Sequence, residues 1–277
     1  MIPVVFFHRG EQDYFQAAIN IASKKNKIIV IGNQSEKFRN NNTNVLFFSE
    51  SDYKQDDSLF RSVYKHMHSG GEEAQIICYT RWFIIRNLIK SLNIEAFFHA
   101  DSDLAVLVDV EEYYKNINCP NVALSTQDYQ ENFRFVASGH NSFFTIQSLE
   151  ELCEFMLRSY DTSSETYQKL LEKHSWHLRT NTGGGVCDMT QLYLYSITKS
   201  TFSLTKIHND SCFDDNINSA ENYYRNEYKM KDNLKLVRFI NNNFYFENND
   251  GQLIKSNSIH CQGQSKPLLF KIQEILK

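Results

Sequence analysis

Short, continuous apolar runs alternate with amphipathic stretches through the first half of this chain. Pro3–Phe7 is the first run, Lys27–Ile31 the second, ended by Gly32, and Val45–Phe48 the third, after the polar Asn40–Asn44 loop. Uninterrupted apolar runs of this length suit strands buried on both faces. Between the first two, Phe15, Ala18, Ile19 and Ala22 recur at helical spacing, so a helix follows the first strand. Glu72–Leu92 is a longer helical region with Ile85, Leu88, Ile89 and Leu92 on one stripe. Ile94–His99 is a strand that runs straight into Asp101-Ser102-Asp103, Leu104–Val108 is apolar again, and Val122–Ser125 is another short strand. This alternation predicts a mostly parallel sheet with helices on both faces. In such sheets ligands sit beyond the carboxyl ends of strands, where Asp101–Asp103 lies.

The rhythm then changes. Leu149, Cys153 and Met156 mark one helix, and Val186, Met189, Tyr193 and Ile197 another. Leu236–Ile240 and Phe244–Phe246 flank Asn241–Asn243, and a second turn follows at Asp250-Gly251. These segments predict antiparallel hairpins. The chain closes with Ser258–Cys261, a glycine turn and a short helix from Pro267. No internal repeat and no Pro- or Gly-rich linker divides it, so one domain is expected over residues 1–277.

Composition narrows the function classes. Hydrophobic residues are 42% of the chain and aromatics 14%, ample for a packed core. Twenty-nine basic residues against 33 acidic ones give a net charge of −4, which supplies no global attraction for nucleic acid. The six cysteines are scattered with no CxxC pair, which excludes zinc-finger spacing and reads as reduced thiols. The start, MIPVVFFHRG, has no basic lead and only a short apolar run, a first strand rather than a signal peptide. No apolar segment approaches the ~18 residues of a membrane span, and a cytoplasmic location is expected.

Two stretches carry candidate chemistry. In His99-Ala100-Asp101-Ser102-Asp103, two carboxylates one residue apart at a strand end can converge on one divalent cation, Mn²⁺ or Mg²⁺, together with phosphate oxygens. The alternative is a loop with two solvated acids. In His260-Cys261-Gln262-Gly263-Gln264-Ser265-Lys266-Pro267, a neutral imidazole can be a third metal ligand, Gly263 lets backbone approach a pyrophosphate, and Lys266 is a compact cation for a phosphate. Taken singly, His260 is as readily a core histidine and Lys266 a solvated surface lysine.

The order of DxD followed near the C-terminus by HxxGxxKP resembles glycosyltransferase family 8, the glycogenin and lipopolysaccharide galactosyltransferase group. The resemblance implies a GT-A fold: a Rossmann-like nucleotide-binding sheet carrying DxD over about residues 1–126, and a smaller acceptor-side region with antiparallel hairpins over about 127–277. It implies manganese on Asp101, Asp103 and His260, diphosphate contacts from Gly263 and Lys266, and a UDP-sugar donor. Tyr79-Thr80-Arg81-Trp82-Phe83 is similar to the family's YxRL segment, which implies a donor contact for Arg81. Ser138-Gly139-His140-Asn141-Ser142 stands where the family shapes its sugar pocket, and Gly184-Gly185-Val186-Cys187-Asp188-Met189-Thr190-Gln191 where it has a DQ helix start. Ser138, Gly139, His140, Asn141, Asp188 and Gln191 are thus candidate substrate contacts. Asp188 could equally be an acid favouring the helix dipole, and Gly183–Gly185 an anion nest. The chain departs from the family pattern at Gly139-His140-Asn141, at Met189, and at Leu268 after Lys266-Pro267.

His8, Arg9 and Gly10 follow the first strand, where the resemblance to GT-A enzymes implies the nucleobase sits, so they are candidate nucleotide contacts; Tyr14 could stack on the base and fits a helix core equally well. The activity expected is transfer of a sugar from a nucleotide-sugar to a glycan, glycolipid or protein acceptor. The resemblance implies retention. An inverting enzyme would need a carboxylate base, with Asp188 and Asp128 as candidates. A sugar-nucleotide pyrophosphorylase is the rival enzyme, but it needs an early Gly-rich basic loop, and Phe7–Gln12 holds one glycine and one arginine. The Leu268–Leu276 helix could touch a membrane bearing a lipid-linked acceptor or pack on the domain.

Overall fold

A computed structural model describes residues 1–38 and 42–277. Residues 40 and 41 of the expected polar loop lie outside the described residues, and the strand after it begins at Val45. The central sheet has seven strands: β1 (Val4–His8), β2 (Ile28–Gly32), β3 (Val45–Ser49), β4 (Ala96–Ala100), β6 (Val122–Thr126), β7 (Ala137–Thr145) and β8 (Phe202–Ser203), in the order β3-β2-β1-β4-β7-β6-β8. Outside it, β5 (Leu104–Val106) pairs antiparallel with β15 (Ser258–His260). A four-stranded sheet joins β9 (Ser211–Cys212), β12 (Val237–Ile240), β13 (Asn243–Glu247) and β14 (Leu253–Ser256), and β10 (Met230–Lys231) with β11 (Leu234–Lys235) forms a small hairpin. The helices are α1 (Tyr14–Ala22), α2 (Asp57–Val63), α3 (Glu72–Ser91), α4 (Val110–Asn116), α5 (Ile146–Arg158), α6 (Glu165–Thr180), α7 (Asp188–Ser196) and α8 (Leu268–Ile275).

The expected α/β architecture is present, with β1 to β4 mutually parallel. Strand period two explains how one sheet serves two cores. Along β1, Val4 and Phe6 pack with α1, α4 and α8, whereas Val5 packs with α2, α3 and α5 on the opposite face. The sheet is not all parallel. β7 runs antiparallel to both β4 and β6, and it carries the polar segment Ser138–Ser142 through the middle of the sheet.

The hairpins expected near the C-terminus form as β12-β13 and β13-β14. Asn241 and Asn242 both take positive φ, 48° and 60°, the backbone a two-residue hairpin turn requires. Six cysteines are free thiols. Among the described residues no helix is long and apolar enough to cross a membrane. α8 packs Leu269 and Ile272 inward against the core and leaves Phe270 and Ile275 exposed.

Candidate metal site

β4 ends at Ala100, and Asp101 opens a tight turn whose carbonyl accepts from Leu104 N (3.1 Å). That turn swings the chain from β4 into β5, so Asp101 and Asp103 both project at the carboxyl end of the sheet. The β5–β15 pairing sets His260 opposite Leu104, and Cys261 N donates to Asp103 O (2.9 Å). Residues more than 150 positions apart are thereby fixed beside each other. One ligand atom each from Asp101, Asp103 and His260 lies within 4.8 Å of the others. His260 Nε2 is 3.3 Å from Asp103 Oδ1, and Lys266 Nζ is 3.6 Å from Asp103 Oδ2.

The donor set suits a divalent cation: two carboxylates and one imidazole nitrogen. His260 Nδ1 lies 2.6 Å from the Asp215 carbonyl. A carbonyl only accepts, so Nδ1 carries the proton and Nε2 faces the aspartates, the tautomer a metal ligand needs. Burial pushes His260 down, but its hydrogen bond and charge interaction with Asp103 prevail and raise it to about 9. Burial alone would raise Asp101; Arg81 and neighbouring histidines bring it down to about 2. Asp101 is therefore ionised at neutral pH.

Behind the aspartates lies a fixed polar frame. Arg81 donates from Nη1 to Asp101 (3.0 Å) and from Nη2 to Asp188 (2.8 Å), and Trp82 Nε1 donates to the same Asp188 oxygen (3.3 Å). Asp188 sits at the start of α7 and is buried. Both donors meet one oxygen of its carboxylate, Oδ2, so Asp188 is tied into this frame at that atom. Gly139 is required by this frame, because a Cβ there would lie 2.5 Å from the Trp82 ring.

His140 stacks on His260 with ring centroids 4.2 Å apart. Its Nδ1 pairs with Ser138 Oγ (2.6 Å) and its Nε2 with the Asp214 carbonyl (3.2 Å). Burial first, then His260, pushes His140 well below its ordinary value, so it is neutral. Asn141 is consumed in the interior: its amide donates to the Asp214 carbonyl (2.8 Å) and accepts from Ser258 (2.9 Å). It braces the site rather than lining it. Gln191 is fully buried, with neither amide atom partnered by the protein.

The loop after β1 borders the site on the α1 side. His8 stacks on Phe15 at 4.1 Å, and burial pushes it down to about 4. Arg9 Nε is held by Glu50 (2.8 Å), and Gly10, at φ 107°, donates its N–H to Asn33 (3.0 Å). Lys266 Nζ lies 4.8 Å from the centre of the Tyr14 ring, so it bridges the α1 side and the aspartates. Gly263 has φ 61° and open space where a Cβ would be. Ser102 is half-buried in the turn between the aspartates.

A cavity of about 220 Å³ opens beside His260, lined also by Ser138, His140, Gln127 and Asp215. Asp128 is exposed and absent from that lining, and its neighbour Gln127 faces the cavity. The carboxylate present is Asp215, which sequence reading missed. Gln127 donates to it (2.9 Å), and burial pushes it up to about 6 against the pull of Lys235 and His260. In the Gly183–Gly185 segment, Gly184 donates its N–H to Ser69 Oγ (2.8 Å). The segment pairs with the His68 segment through Ser69 N to Gly184 O (2.9 Å) and Val186 N to Met67 O (2.8 Å). A Cβ at Gly185 would meet Met67 O at 2.3 Å.

No family model and no curated protein matches the sequence. Solved structures with a similar chain course include a mouse xyloside xylosyltransferase, with TM-score 0.46 and 10% identity over 73% of this chain and 84% of that one. An active-site variant of LgtC has TM-score 0.41 and 10% identity, covering 77% of this chain and 75% of its own. A cytidylyltransferase from Leptospira borgpetersenii has TM-score 0.37 and 12% identity, covering 73% and 74%.

Proposed function

We propose that this chain is a metal-dependent glycosyltransferase of the GT-A type. It would transfer a hexosyl group, with retention, from a nucleotide-sugar to a carbohydrate-bearing acceptor; a UDP-sugar is the first candidate donor. The observation that carries the proposal is the convergence of Asp101, Asp103, His260 and Lys266 at the carboxyl end of β4. A divalent ion, Mn²⁺ or Mg²⁺, would supply a Lewis acid for the charge that develops on a departing diphosphate. Lys266 adds a point charge on the α1 side of the aspartates, toward the His8–Gly10 loop where the nucleotide would lie. Arg81 acts through Asp101 and Asp188, holding both carboxylates in place. In this role it is a positioning residue.

In a retaining transfer the acceptor hydroxyl attacks on the leaving-group face, and its proton passes to a diphosphate oxygen. No protein base is needed. The engagement of Asp188 and the exposure of Asp128 support this over inversion through either of them. One observation favours a second reading: Asp215 lines the cavity beside His260 and could serve as the base of an inverting displacement. The anomeric configuration of the product, read by NMR, separates the two. Against a pyrophosphorylase stands the loop after β1, whose single arginine is tied to Glu50.

Thermal-shift screening of nucleotide-sugars with and without Mn²⁺ tests the proposal, because a ligand of the native state raises its apparent stability. UDP-sugars should stabilise only with the ion present. Stabilisation by nucleoside triphosphates alone would favour the pyrophosphorylase.

A further inference from the structure

The cavity beside His260 does not end there. Arg134, Val136 and Met189 line it and also line a second, larger cavity of about 540 Å³, so the two form one cleft leading away from the aspartates. The larger cavity lies within the ~300–1,000 Å³ range of small-ligand sites. Two kinds of side chain dominate its walls. Trp176 and Phe133 are half-buried, with ring centroids 6.4 Å apart, and offer apolar faces to the C–H face of a sugar ring. Arg134, Lys173 and Arg225 are the cations, with Glu131 the acid.

The charges do not cancel. Glu131 is taken by Arg225 at 2.7 Å. Buried Lys173 donates to the Arg134 carbonyl (2.6 Å) and to Thr190 Oγ1 (2.9 Å), both neutral acceptors. Arg134 donates through Nη2 to Gln127, and its buried Nε has no protein partner. Among the described residues no carboxylate lies in hydrogen-bond reach of these two partly desolvated cations, an arrangement that costs free energy until an anion completes it. Burial pushes Lys173 down to about 8, as expected of an ammonium lacking a counter-ion. The segment that presents Arg134 is also strained: Asn132, Phe133 and Phe135 all have positive φ, at 54°, 55° and 41°. For a bulky aromatic that backbone is a true outlier, and such strain concentrates at ligand sites.

We propose that this cleft is the acceptor subsite and that the acceptor is an anionic glycan. Its sugar ring packs on Trp176, and its carboxylate or phosphate is held by Arg134 and Lys173. The inference rests on the glycosyl-transfer reading for the word acceptor; the preference for an anionic sugar is testable without it.

The test uses the full chain in EDTA, without donor, and three probes: methyl glucuronide, glucose 6-phosphate and methyl glucoside. Tryptophan fluorescence and ligand-observed NMR report binding. At least one anionic sugar should bind roughly tenfold or more tighter than the neutral one, and which of the two does so distinguishes a carboxylate from a phosphate acceptor. Arg134→Gln should remove that advantage. Should that variant fail to fold, the wild-type protein still decides the matter, because raising salt from about 0.05 to 0.5 M should weaken only the anionic probes. Equal affinity for charged and neutral sugars, no binding up to about 50 mM, or an advantage that survives Arg134→Gln would each overturn the inference. Separate titration with UDP and Mn²⁺ keeps the readings apart. Nucleotide binding without anion preference sinks only this inference, and the reverse result sinks the transferase reading while leaving the cleft an anionic-sugar site.

Discussion

His260 carries two roles that titration can separate. Without an ion its Nε2 is protonated beside Asp103, raised to about 9. A metal needs that nitrogen bare, so binding should expel close to one proton at pH 7. Calorimetry in buffers of different ionisation enthalpy measures this directly, and affinity for Mn²⁺ should climb as pH rises toward 9. The sign for stability runs the other way. A raised histidine stabilises the ion-free fold fully below its unfolded value near 6.5, and that contribution is lost as pH rises through about 9. The ion-free protein should therefore lose melting temperature across that window, and His260→Gln should flatten the loss. Lys266 has a simpler role. Because its charge is worth most as the diphosphate departs, Lys266→Ala should lower kcat more than it raises KM; a raised KM with unchanged kcat would assign it to ground-state binding.

Asp188 illustrates how structure redirects an expectation. As a plain helix-start acid its loss would cost about 0.3–1 kcal/mol. Its buried carboxylate pairs with the largely enclosed Arg81 and with buried Trp82, which predicts more. Asp188→Asn should approach the roughly 3 kcal/mol seen when one member of a buried pair is removed, and activity should fall too, since Asp101 shares the same arginine. Chemical denaturation and turnover on one preparation measure both. Lost activity with unchanged stability would contradict a framing role.

At the level of elements, the frame depends on α3 meeting β7 closely at Gly139. Gly139→Ala pushes a methyl group into Trp82. It should destabilise by about 1–3 kcal/mol through overpacking and reduce turnover by misplacing Asp188; denaturant midpoints and rates check it. β1, β2 and β4 were legible in the sequence because strands buried on both faces must be nearly continuous apolar runs, and β3, at the sheet edge with Leu46 exposed, was legible as a run of the same kind. β7 was not. Its Ser138–Ser142 segment is polar, yet it is buried, because His140, Asn141 and Ser142 find partners in Asp214, Ser258 and Gly139. α6 escaped notice because its few buried side chains, Tyr167, Leu170 and Lys173, include a lysine. DxD and HxxGxxKP were legible as motifs, whereas their union required the β5–β15 pairing, a contact no local pattern encodes. Asp215 and Arg134 had no motif at all; only the closed cleft reveals them.

For the whole molecule, two cores flank one sheet, and the polar groups collect at the end where β4 stops. A net charge of −4 gives no long-range attraction for a nucleotide diphosphate, so its affinity must come from local cations. The central claim is that Asp101, Asp103 and His260 bind a divalent ion that in turn recruits the nucleotide. Isothermal calorimetry of UDP into the wild-type protein, with Mn²⁺ and then with EDTA, tests it most directly. Binding should be saturable with Mn²⁺, weakened roughly tenfold or more by EDTA and likewise by His260→Ala or Asp103→Asn. UDP affinity indifferent to the ion and to those residues, or no UDP binding at all, would contradict it.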